Sequence, residues 1–171
     1  MKKAICGFLL FLTFVTVCFA QQDDSDTDGK NKENVILKAG THISAQLQGV
    51  LGAESSHNGD DFVLNLTEDV TGNGMTFEKG TEVLGRVVRV KQITDDDDES
   101  EISLSFDFLK HGDDYLPFKA IIISAAPDSA LHFDSSPIFK GATVISGKAK
   151  NVRLEEGVIF KLELYKDLLK P

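Results

Sequence analysis

Residues 102–108 read Ile-Ser-Leu-Ser-Phe-Asp-Phe, a strict alternation of apolar and polar side chains over seven positions. Successive side chains of a β-strand point to opposite faces, so the four apolar residues, Phe106 and Phe108 among them, are expected on one buried face. Ser103, Ser105 and Asp107 are expected on the other face. Similar alternation recurs in residues 43–47, 62–66, 116–122 and 158–164. The dominant period is therefore two, which predicts a mostly β fold.

A glycine turn recurs along the chain. An apolar residue stands three positions before and another three positions after each of Gly40, Gly80, Gly141 and Gly157. Glycine accepts positive φ at the end of a tight turn, so the residues on both sides of it can reach the same core. Short strands separated by such turns predict a small closed or partly open β-barrel, or a sandwich.

Three further features place the connections between strands. Asn73-Gly74 favours a primed hairpin turn between residues 70 and 75. The acidic run 95–99 predicts a solvated loop before the strand that holds residues 102–108. Gly85 lies inside the apolar stretch 83–90, where a glycine often marks a bend.

The first 20 residues have the pattern of a secretory signal peptide. Lys2 and Lys3 precede an apolar run that ends before Ala20, and the run is short for a spanning helix. Cleavage after Ala20 is the favoured interpretation, while a lipoprotein signal ending at Cys18 and an uncleaved anchor are the alternatives. Cleavage would remove both cysteines and leave no integral membrane span. We therefore expect a periplasmic or extracellular protein without disulfides.

Residues 21–34 contain no apolar side chain, which predicts a disordered acidic linker before a β-barrel domain at 35–171. The linker carries Asp24, Asp26, Asp28 and Gly29 in the spacing of a calcium loop. The last coordinating position of that loop would be Val35, which cannot replace the required glutamate. A solvated tether is the preferred interpretation, and calcium binding at residues 24–28 or 95–99 stays open.

Charge excludes one class of partner. The chain has 18 basic and 27 acidic residues, a net charge of −9, and contains no Trp. Loss of residues 1–20 would leave 16 basic and 27 acidic residues, a net charge of −11. An acidic surface repels nucleic acid and anionic lipid, so neither is expected to bind.

The residues typical of catalysis do not form a recognisable pattern. The histidines are spread over the chain without metal-ligand spacing, at positions 42, 57, 111 and 132. No nucleophile elbow is present, and the paired carboxylates at 60–61 and 113–114 are explained by turns. Arg86 and Arg89 are expected on opposite faces of one strand, in ion pairs with neighbouring acids. We therefore predict no enzyme, with no catalytic, cofactor-binding or metal-binding residue and no cofactor.

The order of the segments resembles the C-terminal β-barrel of TrbI-like proteins of conjugation and type IV secretion cores. The resemblance covers residues 35–169. Its motifs are the turns around Gly40, Gly80 and Gly157, the strands 83–87 and 104–108, the segments 59–62 and 67–70, and the later turn at 110–113. It implies a barrel, and the leader before it implies a stand-alone exported domain.

Together these observations predict a non-enzymatic exported β-barrel that acts by protein–protein contact in the bacterial cell envelope. Its expected partner is an envelope protein or a second copy of the chain. A secreted module that binds a small ligand or calcium is the first alternative, and an unrecognised enzyme is the second.

Overall fold

The computed structural model describes residues 34–127, 131–134, 141–148 and 151–170. The predicted leader and the predicted linker, apart from Asn34, lie outside these residues, and so do the candidate calcium ligands at 24–28. The described strands are β1 Val35–Leu37, β2 His42–Leu47, β3 Leu51–Gly52, β4 Asp61–Leu66, β5 Val70–Gly72, β6 Met75–Phe77, β7 Glu82–Lys91, β8 Glu99–His111, β9 Asp114–Pro117, β10 Ala120–Ala126, β11 His132–Asp134, β12 Ala142–Lys148, β13 Arg153–Leu154, β14 Ile159–Leu164 and β15 Leu168–Leu169.

The main sheet is antiparallel and follows the order β10-β14-β2-β4-β7-β8-β12-β11. β9 pairs with the end of β8 and leads directly into β10, at the other end of the path. The backbone N–H of Ile122 on β10 donates to Thr143 Oγ1 at 2.8 Å, which links one end of the sheet to β12, the strand next to the other end. The sheet is therefore a nearly closed barrel, and the predicted mostly β barrel is confirmed.

The recurring glycines adopt the conformation that the turn pattern predicts. The φ angles of Gly40, Gly80, Gly141 and Gly157 are +83°, +91°, +92° and +92°, and a strand begins one or two residues after each. The predicted hairpin is also present, since β5 and β6 pair across Asn73-Gly74. The turn prediction is confirmed because these positions need a backbone that residues with a side chain rarely adopt.

Large apolar side chains fill the inside of the barrel. Phe106 is 1% exposed and lies edge-on to Phe62 and Phe118, with ring centroids 5.8 and 6.4 Å apart. The core also holds leucines and isoleucines from the strands around it, among them Leu64, Ile102, Leu104, Ile122 and Leu162. Among the described residues, no helix has the length and apolar character needed to cross a membrane.

Two irregularities in the pairing of β7 with β8 change which side chains face the core. Leu84 pairs with Phe108 while Gly85 pairs with Phe106, so Asp107 is an extra residue in β8. This bulge reverses the alternation: Leu109 is buried and Phe108 is 40% exposed. The expectation that Phe108 shares the buried face of Phe106 is wrong for this reason.

The second irregularity corrects the expected placement of the two arginines. Val87 pairs with Leu104 and Arg89 with Ser103, which leaves Val88 as the extra residue of β7. Arg86, Val88 and Arg89 are all exposed. The extra residue therefore brings Arg89 to the outer face together with Arg86, and the prediction of opposite faces is wrong.

Candidate functional site

A row of apolar side chains crosses the outer surface of the barrel at one level. Val63 pairs with Leu84, Leu84 with Phe108, and Phe108 with Pro117, on the successive strands β4, β7, β8 and β9. Val63 and Leu84 are half-buried, and Phe108 and Pro117 are exposed. We call these four residues the outer apolar row.

An exposed aromatic pair extends this row. Tyr115 lies on β9, two residues before Pro117, and is 53% exposed. Its ring meets that of Phe108 edge-on, with the centroids 6.3 Å apart. This geometry is favourable for aromatic rings, so the two side chains hold each other in place while both remain open to solvent.

A groove lies beside the row, at the register shift between Leu84 and Gly85. Its volume is about 220 Å³, and its lining residues come from β4, β7 and β8: Asp61, Phe62, Val63, Leu84, Gly85, Arg86, Asp107 and Phe108. A Cβ at Gly85 would lie within 3 Å of the Phe62 ring and of the Ser105 carbonyl oxygen. Position 85 therefore requires glycine, because the Phe62 side chain of β4 and the backbone of β8 leave no space for a side chain there.

Charged side chains border the row on one side. The Arg86 guanidinium lies 3.5 Å from the Asp61 carboxylate and 3.6 Å from the Asp107 carboxylate. Lys119 Nζ is 3.3 Å from Asp107 Oδ1. We call Asp61, Arg86, Asp107 and Lys119 the arginine flank. The bulge that turns Phe108 outward also places Asp107 within reach of both cations.

A second charged pair borders the row on its other side. Lys110 Nζ donates to Glu82 Oε2 at 2.9 Å. Lys110 lies two residues after Phe108 on β8, and Glu82 lies two residues before Leu84 on β7. This hydrogen bond and the charge of Glu82 raise the pKa of Lys110 above its usual value. We call Glu82 and Lys110 the lysine flank. The outer apolar row thus lies between two borders that each hold both signs of charge.

The sequence-derived catalytic candidates are engaged in local contacts. His42 Nε2 lies 3.0 Å from Glu163 Oε2, and the His111 ring packs edge-on against Phe77. Asp60 accepts a hydrogen bond from the backbone N–H of His57 within one turn. The described ranges bring together no group of three or more His, Cys, Asp or Glu side chains placed to hold a metal ion.

The acidic loop is held by a cation from the preceding strand. Lys91 Nζ lies 2.7 Å from Asp97 Oδ2 and 3.7 Å from Glu101 Oε1. The hydrogen bond from Lys91, and another from the backbone N–H of Glu99, lower the pKa of Asp97. The hydrogen bond to Asp97, together with the negative charges of Asp97 and Glu101, raises the pKa of Lys91. Asp97 therefore holds the loop through its contacts with Lys91 and the Glu99 backbone, which is a structural role.

No protein-family model and no curated protein matches this chain. Among solved structures, it is similar to ComB10 of the Com type IV secretion system of Helicobacter pylori. The two chains are 9% identical, the match covers 80% of this chain and 91% of that chain, and the TM-score is 0.49. The fold and the outer apolar row rest on the strands and contacts of this chain alone.

Proposed function

We propose that this chain is a non-enzymatic exported β-barrel domain that acts by protein–protein contact in the bacterial cell envelope. The outer apolar row is the observation that carries the proposal. Its centre, Phe108, is an aromatic side chain that the fold exposes by means of a bulge, next to the exposed ring of Tyr115. An apolar row with an aromatic centre is the composition of a protein contact.

The borders of the row support a protein partner. Arginine and aromatic residues are enriched where partner proteins bind tightly, and charged side chains around an apolar centre keep the surface soluble when it is free. Arg86 and Lys110 provide such charges on either side of Phe108. With a net charge of −9, the chain would repel nucleic acid and anionic lipid.

Two sequence features support the location and the class of the protein. The leader pattern of residues 1–20 is typical of exported chains. The resemblance to a secretion-core barrel favours an envelope protein without a catalytic role. The contacts of His42, His57 and Asp97 are those of structural side chains, which favours a binding function over catalysis.

Photo-crosslinking in intact cells tests the proposal. A photoreactive phenylalanine analogue at position 108 should form a protein adduct of defined mass after illumination, because the contact reaches the exposed ring. The matched control carries the analogue at Lys161, an exposed position of β14 on another part of the barrel. The same adduct at both positions, or none at position 108, would contradict the proposal.

A further inference from the structure

We infer that the partner of the outer apolar row is a second copy of this chain, related by a two-fold axis that runs parallel to the strands between Leu84 and Phe108. The inference rests on the proposed function, because it names the partner of the same surface. It is based on the order of the charges around the row, which matches that of a second copy turned to face it.

The signs of charge alternate around the centre of the row. On the arginine flank, Arg86 of β7 stands next to Asp107 of β8; on the lysine flank, Glu82 of β7 stands next to Lys110 of β8. On both flanks a cation on one strand therefore lies beside an anion on the other. The cation is on β7 in the arginine flank and on β8 in the lysine flank. A partner with one sign of charge would be repelled by half of these side chains.

A two-fold axis parallel to the strands brings β7 of one copy over β8 of the other. Glu82 of each copy then faces Lys110 of the other, and Arg86 faces Asp107. Every charge that the rotation superimposes on these four positions is opposite in sign. Isologous contacts of this kind need a self-complementary surface, and this surface has one.

The outer members of the row follow the same rule. The rotation places Pro117 of one copy over Val63 of the other, and Lys119 over Asp61, a side chain that is 82% exposed. A cation again meets an anion, and an apolar residue meets an apolar residue. The pattern extends across β4, β7, β8 and β9 without a like-charged pair.

The groove supplies a seat for the aromatic side chain. Phe108 of one copy comes to lie over Leu84 of the other, where the 220 Å³ groove opens over Gly85. The Phe108 ring of each copy would then pack on Leu84 and fill the groove of the other copy, so that neither surface is left with an empty space. The contact covers a few residues of each convex barrel, so the dimer belongs to the small, transient class of interface.

The other two-fold arrangement, with its axis along the row, is less complementary. It would also bring opposite charges together at the four central positions, with Arg86 over Glu82 and Asp107 over Lys110. It would place Asp61 over Asn65 and Lys119 over Tyr115, however, so neither of these outer charges would meet its opposite. It would also place Phe108 on Phe108, outside the groove. The axis parallel to the strands is therefore the one that the charges and the groove favour together.

The experiment uses the full exported chain and measures its dissociation constant by sedimentation velocity over a concentration series in 0.15 M salt. Under these conditions the long-range repulsion between acidic copies is screened over about 8 Å. We expect a monomer–dimer equilibrium for the parent. Phe108→Asp should weaken the dimer by about tenfold or more, as loss of a central aromatic contact does. A parent that stays monomeric at all concentrations would overturn the inference.

Charge reversal and mixing identify the axis. Lys110→Glu alone should weaken the dimer, because the introduced carboxylate would face Glu82 of the other copy. Glu82→Lys alone should weaken it because two ammonium groups would meet. A mixture of the two variants should restore dimers, since each mixed dimer joins the introduced carboxylate to the introduced ammonium group and keeps the native pair on the other side. Mixing restores nothing if the axis runs along the row.

Two controls keep the result interpretable. Lys161→Glu makes the same change of charge as Lys110→Glu on an exposed position of β14 and should leave the dissociation constant unchanged. Circular dichroism and a melting curve for each variant show that the barrel is intact. Single variants that both weaken the dimer without restoration on mixing would overturn the inference.

The cell experiment separates this inference from the proposed function. A crosslink from position 108 to a second copy supports both. A crosslink from that position to a different envelope protein, with a monomeric purified chain, overturns the second copy as partner and leaves the proposed function in place. No crosslink at all contradicts the proposed function itself.

Discussion

Truncating Phe106 and Phe108 to alanine should have very different effects on stability, although the two residues are two positions apart in one strand. Phe106 is 1% exposed and packs against Phe62 and Phe118. Removing a buried aromatic side chain leaves a cavity and costs about 3–5 kcal/mol of the free energy of unfolding. We expect Phe106→Ala to fall in that range.

The expected cost of Phe108→Ala is smaller because less of its surface is buried. Phe108 is 40% exposed, which leaves about 60% of its surface covered. Full burial of such a side chain contributes about 1.5–3 kcal/mol, so the covered part contributes about 1–2 kcal/mol. The two variants should therefore differ by about 1–4 kcal/mol, with about 2 kcal/mol as a working value.

Urea denaturation followed by circular dichroism measures both costs. A slope of about 2 kcal/mol per molar urea converts the expected difference into a midpoint difference of about 1 M. Low micromolar protein keeps the chain monomeric, so that loss of a dimer contact does not enter the result. Equal midpoints, or a lower midpoint for Phe108→Ala, would show that Asp107 is not the bulged residue and that Phe108 faces the core.

The remaining predictions concern a turn, the acidic loop and export. Gly80 has a φ of +91° and no neighbouring atom within 4 Å of an added Cβ, so a substitution there acts through backbone strain alone. Gly80→Val should lower the free energy of unfolding more than Gly80→Asn, because Asn tolerates positive φ better than a β-branched residue. Equal midpoints in urea would refute this. Asp97→Asn should lower the free energy of unfolding at pH 7, and urea denaturation should show a smaller effect in acid, because a lowered carboxyl pKa stabilises the fold above the unfolded value of about 3.9 and that contribution is lost as pH falls through the folded value. The Lys91 partner, with its raised pKa, contributes below about 10.4, and its contribution is lost as pH rises through the folded value. Millimolar calcium should leave the melting temperature unchanged, while a rise would show that a native-state site binds it. Intact mass of the exported protein should give a chain beginning at Gln21, and retention of residues 1–20 or a lipid on Cys18 would contradict cleavage after Ala20.

The parts of the fold that depend on local conformation could be predicted from the sequence. Alternation located the strands around residues 45, 64, 104 and 162, because a half-buried strand needs period two. The glycine pattern located the turns, because positive φ excludes most other residues. Gly80 and Gly157 illustrate this, with φ angles of +91° and +92°.

The outer apolar row could not be predicted from the sequence because it depends on pairing between distant residues. Nothing in residues 102–108 distinguishes a regular strand from one with an extra residue at Asp107. The bulge forms where Gly85 of β7 packs closely against β8 and Phe62, which brings residues far apart in the chain into one arrangement. Only the register shows that Phe108 leaves the core at that point.

The same bulge accounts for both halves of the surface, so the row and its charges form one unit. An extra residue in β8 turns Phe108 outward and leaves Asp107 beside Arg86 and Lys119. If Asp107 were instead paired as a regular strand residue, strict alternation would bury Phe108 and bring Leu109 to the surface in its place. Bulges bend a strand and re-aim side chains at a cost in regular pairing, and here the re-aimed side chain is the aromatic centre of the outer apolar row. Deleting Asp107 should remove the extra residue but keep the pairing of Phe106 with Gly85 and of Phe108 with Leu84, so Phe108 should stay exposed and still crosslink while the contacts to Arg86 and Lys119 are lost. Asp107→Asn should weaken the same charge pairing and also leave Phe108 exposed.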